Sequence, residues 1–541
     1  MTLDIHTRAV QYPTRTAVVD RGVANETPDQ TYTYADLSAL VTDYGARLTD
    51  HGVGEGDAIC VVSRNRIELL CLFYAAVDRG AVLAPVSYRL PADAISALID
   101  RIDPTLALAE PRFEELVSNP VTIEGFTAGD PETDPESLER VPRDPDRPLL
   151  YIHTGGTTGV PKVVVCPYRQ VEWNAITEIA AWGLGKGDVS PLFLPMFHTG
   201  GWNLLTLPSL YVGGTVVLHR EFDPDQSLET VETYGATHLF GVAAIYQTMV
   251  ESDRFEDTDF GSVDWCLSGG GPTPTWVFEA FREHELRLGQ GYGLTEGGPN
   301  NLYLDPDRDV DLEKRATSVG RPFPDSEVRI VDADGDPVDP GTIGELEVRG
   351  PITADGYLDT EDGTFDGEWV STGDLARVDE HGDHYITGRT DNMFVSGGEN
   401  VYPEEVEAAF ERHEDVADVG VVGISHDRWG TVPKAVIELG DALADEDPAV
   451  LEETFDAFAR ETLADYQLPR AYAFVDSLPR SGPGKLDRGA LDAQYGDGSA
   501  DGPSGETGGD ATDGDASDDD TTDGGGSDGD ADADTASGVS Q

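Results

Sequence analysis

Tyr151-Ile-His-Thr-Gly-Gly-Thr-Thr-Gly-Val-Pro-Lys162 is the stretch on which the fold turns. A β-rich run, Leu149 to Ile152, enters it and a second, Val163 to Val165, leaves it. Between them lie three glycines, three threonines and a lysine. Glycine lets the backbone approach an anion and aim successive N–H groups at it. Hydroxyls donate to phosphate oxygens, and a lysine adds a point charge. The pattern predicts a phosphate loop between two strands. A flexible surface turn would account for the glycines but not for Thr157-Thr158 with Pro161-Lys162. A Walker A loop needs Gly-Lys-Ser/Thr leading into a helix, which neither this stretch nor Gly484-Lys485-Leu486 provides.

Outward from the loop the chain alternates between strand and helix. Thr31 to Tyr34, Ala58 to Val62, Val82 to Val86, Thr215 to Leu218 and Val263 to Leu267 read as strands. Leu37, Leu40, Val41, Tyr44 and Leu48 recur at helical spacing, and Ile67 to Arg79 reads as a helix. This alternation predicts an α/β architecture with largely parallel sheets. Val328 to Val331 and Gly344 to Arg349 read as hairpin-like strands of a small β subdomain. Beyond about Thr390 a small α+β domain is expected. Pro403 with Glu404 and Glu405 starts a helix, Val419 to Ile424 and Ala435 to Leu439 are strands, and Leu451 to Leu463 is a helix. The expected domains are therefore 1–389, 390–495 and a tail, 496–541. The tail is Gly, Asp, Ser, Thr and Ala without Lys or Arg, so it should be disordered.

The chain has 541 residues, too many for one core. Its net charge of −67 repels nucleic acid and anionic membrane and opposes compaction. Only five lysines occur: Lys162, Lys186, Lys314, Lys434 and Lys485. An acidic, lysine-poor composition looks like a salt-adapted cytoplasmic protein of a halophilic archaeon. The four cysteines are scattered and sit in apolar surroundings, so buried free thiols are expected. No signal peptide is visible, and the apolar run Leu69 to Val77 is too short to span a bilayer.

The loop resembles the phosphate-loop signature of the adenylate-forming superfamily, which includes acyl-CoA synthetases, peptide-synthetase adenylation domains and luciferases. Other stations of that superfamily follow in order: Pro195-Met-Phe-His-Thr-Gly-Gly201, Ser268-Gly-Gly-Gly-Pro272, Gln290-Gly-Tyr-Gly-Leu-Thr-Glu296, Gly344-Glu-Leu-Glu-Val-Arg-Gly350, Trp369-Val-Ser-Thr-Gly-Asp374, Tyr385-Ile-Thr-Gly-Arg389, Ser396-Gly-Gly-Glu-Asn-Val-Tyr-Pro403 and Leu478-Pro-Arg-Ser-Gly-Pro-Gly-Lys485. The resemblance covers roughly residues 15 to 495. The chain departs from the pattern at Gly155, where Ser is usual, and at Asn392, Ala243 and Thr431, where an acid, Pro and Glu are common.

The resemblance implies a ligase using ATP and CoA as cosubstrates and Mg2+ as cofactor. A carboxylic acid, fatty or related, would become an acyl-adenylate with loss of pyrophosphate, then an acyl-CoA thioester. Thr154, Gly155, Gly156, Thr157, Thr158, Gly159 and Lys162 would hold the β- and γ-phosphates. Glu296, with Thr154, would ligate Mg2+, and Thr295 would touch the α-phosphate. Gly270, Gly271 and Pro272 would sandwich adenine with Gln290, Gly291, Tyr292 and Gly293. Asp374 would accept from the ribose hydroxyls, Arg389 would reinforce ribose or phosphate, and Asn400 would contact the nucleotide or acyl carbonyl. His198, Thr199, Gly200, Trp202, Val242 and Gly297 would line the acyl pocket. Gly397 and Gly398 would pass the pantetheine arm of CoA, Asp391 would be the hinge of a mobile small domain, and Lys485 would bridge carboxylate and α-phosphate. The resemblance is also compatible with a homodimer.

Two alternatives stand beside this reading. An adenylation enzyme could load a carrier protein, although no carrier domain follows Tyr495 and Phe197-His198 offers no acid for a substrate ammonium. A non-catalytic nucleotide-binding protein would not need Lys485, Glu296, Asp374 and Arg389 together.

Overall fold

The computed structural model describes residues 3–22, 28–154, 161–359, 363–396, 399–413, 415–426, 429–440, 447–481 and 485–496. Six sheets organise them. The largest runs Val121–Thr122, Leu106–Ala109, Ala58–Val62, Val82–Val86, Pro148–Thr154 and Lys162–Pro167. All its pairs are parallel except the last, which is antiparallel and sets Thr154 opposite Lys162. A four-stranded sheet orders Gln30–Thr33, Thr16–Asp20, Thr215–Leu218 and Val189–Leu192. A third has His238–Val242, Trp265–Gly269 and Leu288–Leu294 in parallel, then Gly298–Leu304 antiparallel beside Arg321–Pro322. The fold is mixed α/β with three largely parallel sheets, as expected. Each of these sheets carries an antiparallel edge.

The elements follow local chemistry. Thr33 caps the helix Tyr34–Asp50 through a capping box with Asp36, so the strand expected through Tyr34 stops at Thr33. Helix Ile67–Arg79 is apolar on nearly every side and lies in the main core, which accounts for the apolar run there. Gly80, at φ 68°, ends it in the left-handed conformation.

The small β subdomain is antiparallel, joining Glu327–Val331, Gly344–Arg349, Trp369–Val378, Phe365–Asp366 and His384–Arg389. The fifth sheet, formed by strands between Phe394 and Val475, packs on the helices Pro403–Phe410 and Pro448–Thr462 around Val406, Phe410, Ile437 and Phe455. A two-stranded ribbon, Arg480–Ser481 with Lys485–Leu486, precedes the helix Arg488–Tyr495. All four cysteines are buried free thiols. Among the described residues no helix is long and apolar enough to cross a membrane. Residues 497–541, expected to be disordered, lie outside the described residues.

Candidate active site

The strand pair Pro148–Thr154 and Lys162–Pro167 brings the two ends of the expected phosphate loop side by side. The loop's Gly155, Gly156, Thr157, Thr158 and Gly159 lie outside the described residues. At its near end Thr154 Oγ1 donates to Glu296 Oε1 at 3.2 Å. Tyr357 OH donates to the same oxygen at 3.0 Å, and Lys162 Nζ sits 4.8 Å from the Tyr357 ring centroid. Thr154, Lys162, Glu296 and Tyr357 therefore form one cluster.

Sequence reasoning missed Tyr357. Its segment meets Lys162–Pro167 through an isolated antiparallel bridge at Val164: Val165 N–H donates to the Gly356 carbonyl, and Leu358 N–H to the Val163 carbonyl. Glu296 is 9% exposed, and its own carbonyl takes the Ala354 N–H at 2.9 Å. Thr295 is anchored through its carbonyl by Gln170 Nε2 at 3.0 Å.

The strand Leu288–Leu294 carries the next group. Gln290 Nε2 donates to the Gly271 carbonyl at 2.8 Å, tying that strand to the loop 270–272. Gly270 has φ 77°, and a Cβ there would lie 3.4 Å from Val242, so those two residues are neighbours. Gly293 must be glycine, since a Cβ would come within 2.0 Å of the Pro299 carbonyl across the hairpin. Tyr292, implied as an adenine platform, donates its hydroxyl to Asp374 Oδ2 at 2.5 Å. Burial and the neighbouring Asp374 carboxylate push that phenol well above its ordinary pKa, so it stays a donor. Asp374 Oδ1 takes Arg389 Nη1 at 2.6 Å, the two residues facing each other across the strand pair. Ionised, this carboxylate is an acceptor only, now holding a phenol and a guanidinium.

His198 is exposed at the start of the short helix Thr199–Asn203, whose own residues are buried. His153, given no role by the sequence, stacks on Phe197 at 6.2 Å and accepts the Ser87 N–H at Nε2. Burial, then the charge of His198, lowers its pKa to about 4, so it is a neutral support near pH 7. Trp202, expected in the acyl pocket, is instead a core residue. It is 0% exposed, stacks on Phe73 at 5.3 Å and gives its indole N–H to the Met196 carbonyl. A large flat ring in a short buried helix fills core volume.

Toward the small domain, Asp391 is exposed in a turn closed by Asn392 and Met393 N–H groups on the Arg389 carbonyl. Asn392 Nδ2 donates to Glu404 at 2.5 Å. Asn400 lies on the strand Glu399–Val401, 3.4 Å from the Tyr402 hydroxyl. Gly397 and Gly398 lie outside the described residues. Lys485 heads the ribbon strand opposite Ser481.

Comparison with known proteins accords with this geometry. The model of the AMP-binding enzyme family matches residues 5–358, and that of the AMP-binding enzyme C-terminal domain matches residues 405–485. A feruloyl-CoA synthase of Amycolatopsis is 31% identical over 495 residues, covering 90% of this chain and 98% of the relative. An indoleacetate–CoA ligase of Aromatoleum aromaticum is 33% identical over 483 residues, covering 85% and 92%. The solved o-succinylbenzoate CoA synthetase of Bacillus subtilis, in complex with its acyl-adenylate, superposes with a TM-score of 0.80 at 28% identity, covering 93% of this chain and 99% of that one. The cluster of Thr154, Lys162, Glu296 and Tyr357 and the Asp374–Arg389 pair lie on a scaffold shared along nearly the whole chain, and the protein belongs to the AMP-binding enzyme family.

Proposed function

We propose that this enzyme is an AMP-forming acid–thiol ligase that activates an aryl-bearing carboxylic acid with ATP and passes the acyl group to CoA. The observation that carries the reading is the joint presence of two polar groups on one scaffold. Thr154, Lys162, Tyr357 and Glu296 suit a polyphosphate, while Tyr292, Asp374 and Arg389 suit a ribose. An aryl acid is preferred to the fatty acid of the sequence reading because ferulate and indoleacetate ligases are among the similar proteins.

Glu296 suits Mg2+, which takes one or two carboxylates and completes its shell with phosphate oxygens and water. The donor set is right for that: a carboxylate with a threonine hydroxyl at 3.2 Å, rather than an all-protein cage. When bound there, the ion would neutralise phosphate charge as pyrophosphate leaves. Lys162 adds charge at the same end, and Asp374 orients the ribose by accepting its hydroxyls. Lys485 brings a cation to the carboxylate–phosphate junction, and His198 stands where the thiol approaches. The boundary between the large and small domains is placed at 389/390.

The reading is tested by pyrophosphate release from ATP and Mg2+ over a panel of aryl, fatty and short acids, with and without CoA, in high KCl. Acid-dependent release, with thioester only when CoA is added, is expected. Release with no acid dependence, or adenylate that CoA never consumes, would sink it.

A further inference from the structure

The support of Glu296 and Tyr357 traces to the first turn of one helix, Tyr168–Trp182. Arg169 there is half-buried and holds the segment 351–355 at three points. Its Nη1 donates to the Thr353 carbonyl at 2.8 Å and to the Pro351 carbonyl at 3.2 Å. Its Nη2 donates to the Asp355 carboxylate. The exposed Asp146 stands 3.5 Å from its Nε. The next residue, Gln170, is 1% exposed and donates from Nε2 to the Thr295 carbonyl at 3.0 Å.

Two neighbouring side chains thus brace Glu296 from both directions. Gln170 fixes the carbonyl just before it. Arg169 fixes the strap whose Ala354 N–H donates to the carbonyl of Glu296 itself at 2.9 Å. Two residues past Asp355, the same strap brings the Tyr357 hydroxyl to Glu296 Oε1 at 3.0 Å. Arginine suits this work. Its planar fork serves two carbonyls with one nitrogen and a carboxylate with the other, a geometry that a lysine ammonium does not reproduce.

We propose that Arg169 is a positioning residue for adenylation: by holding the 351–355 strap it sets the Tyr357 hydroxyl against Glu296 and so fixes that carboxylate for Mg2+ and the ATP phosphates. This rests on the ligase reading, in which Glu296 takes the ion. Groups that orient a metal ligand carry about 10–100-fold of its metal affinity. Arg169 acts through one of those groups, so its loss belongs at the lower end of that range.

The test is calorimetric titration of ATP into the full chain in KCl, with saturating Mg2+ and again with EDTA. The ratio of the two affinities is the factor by which Mg2+ tightens ATP binding. Arg169→Met should lower that factor by up to about tenfold while ATP affinity in EDTA changes little. Arg169→Lys keeps a cation beside Asp355 without the fork and should lie between. Tyr357→Phe added to Arg169→Met should cost little more, because both changes remove the same hydroxyl contact. An unchanged factor in the Arg169 variants, even with a lowered thermal midpoint, would reduce Arg169 to a support of the fold and overturn the proposal. So would full additivity with Tyr357→Phe, or an equal loss of ATP affinity with and without Mg2+. Should Arg169→Met fail to fold, Arg169→Lys decides alone, an unchanged factor overturning the proposal. Wild-type ATP binding indifferent to Mg2+ would instead overturn the metal site of the ligase reading, and this inference with it.

Discussion

Single side chains would decide the chemistry at the proposed phosphate end. Glu296 Oε1 is shared by two hydroxyls, so its orientation does not depend on a bound ion. Glu296→Gln should lower the pyrophosphate-forming rate by about 10²–10³-fold, the loss typical of a charge removed from a reacting centre. Tyr357→Phe keeps the ring under Lys162 but removes one donor, so a few-fold rise in the Mg2+ needed for half-maximal rate is expected. A titration of initial rate against Mg2+ checks both, and a Gln variant at wild-type rate would exclude Glu296 from the site. Glu296 was legible because Gly-Tyr-Gly-Leu-Thr-Glu is a local pattern. Tyr357 was not, because its place depends on a bridge to Val164, a pairing that no spacing encodes. Arg169 was hidden for a similar reason, since the carbonyls it holds come from a distant part of the chain.

Glu178, buried on the helix Tyr168–Trp182, gives a pH signature. Burial raises its pKa well above the ordinary 4.5, and no charged group acts on it. The folded state therefore keeps a proton that the unfolded chain has lost, so this group's contribution falls as pH rises above 4.5. The slope approaches about 1.4 kcal/mol per pH unit until the buried carboxyl itself ionises. Glu178→Gln has no such proton. The wild-type-minus-variant stability, from denaturant midpoints between pH 5 and 8, should fall with pH, and a flat difference would show that the carboxyl titrates normally.

At the level of elements, the turn between the strand His384–Arg389 and the small-domain sheet is where motion would concentrate. Pro403 opens its helix as the sequence suggests, with Glu404 and Glu407 on one side. Arg488, first residue of the last helix, donates to both Glu407 oxygens at 3.0 and 2.6 Å and lies 3.1 Å from Glu404. Glu404 in turn holds Asn392. The proposed hinge turn, one helix and the segment after Lys485 are thus tied together, a linkage invisible in sequence because its members lie in separate motifs. On the proposed mechanism the two half-reactions would use different faces of this domain, and the Asn392–Glu404 bond would belong to one pose. Proline fixes φ near −65° and lacks an N–H. At 391 it would cost neither turn hydrogen bond, since both come from the next two residues. Asp391→Pro should still release pyrophosphate but form thioester at least about tenfold more slowly, even from supplied adenylate, because a hinge works through backbone rotation. Wild-type thioester rate in stopped-flow measurements would place the hinge elsewhere.

Across the whole molecule, attraction and repulsion act over different ranges. Among the described residues, several of the few cations are committed at short distance. Arg308, Lys314 and Arg321 converge on the buried Asp383, and Arg64 grips Glu110. The Lys314, Arg321 and Arg64 contacts, at 2.5–3.1 Å, lie partly out of water and are weakly screened. The excess of acids behind the net charge of −67 repels over longer spans. The Debye length is about 10 Å at 0.1 M salt and about 3 Å at 1 M, so added KCl removes the long-range repulsion first. We therefore expect the thermal midpoint and turnover to rise together from dilute buffer to molar KCl. Sucrose at matched osmolality excludes itself from protein surface but screens no charge. Its failure to substitute for KCl would identify screening as the cause. Full stability and turnover in dilute buffer, or equal rescue by sucrose, would remove the case for a salt-adapted surface.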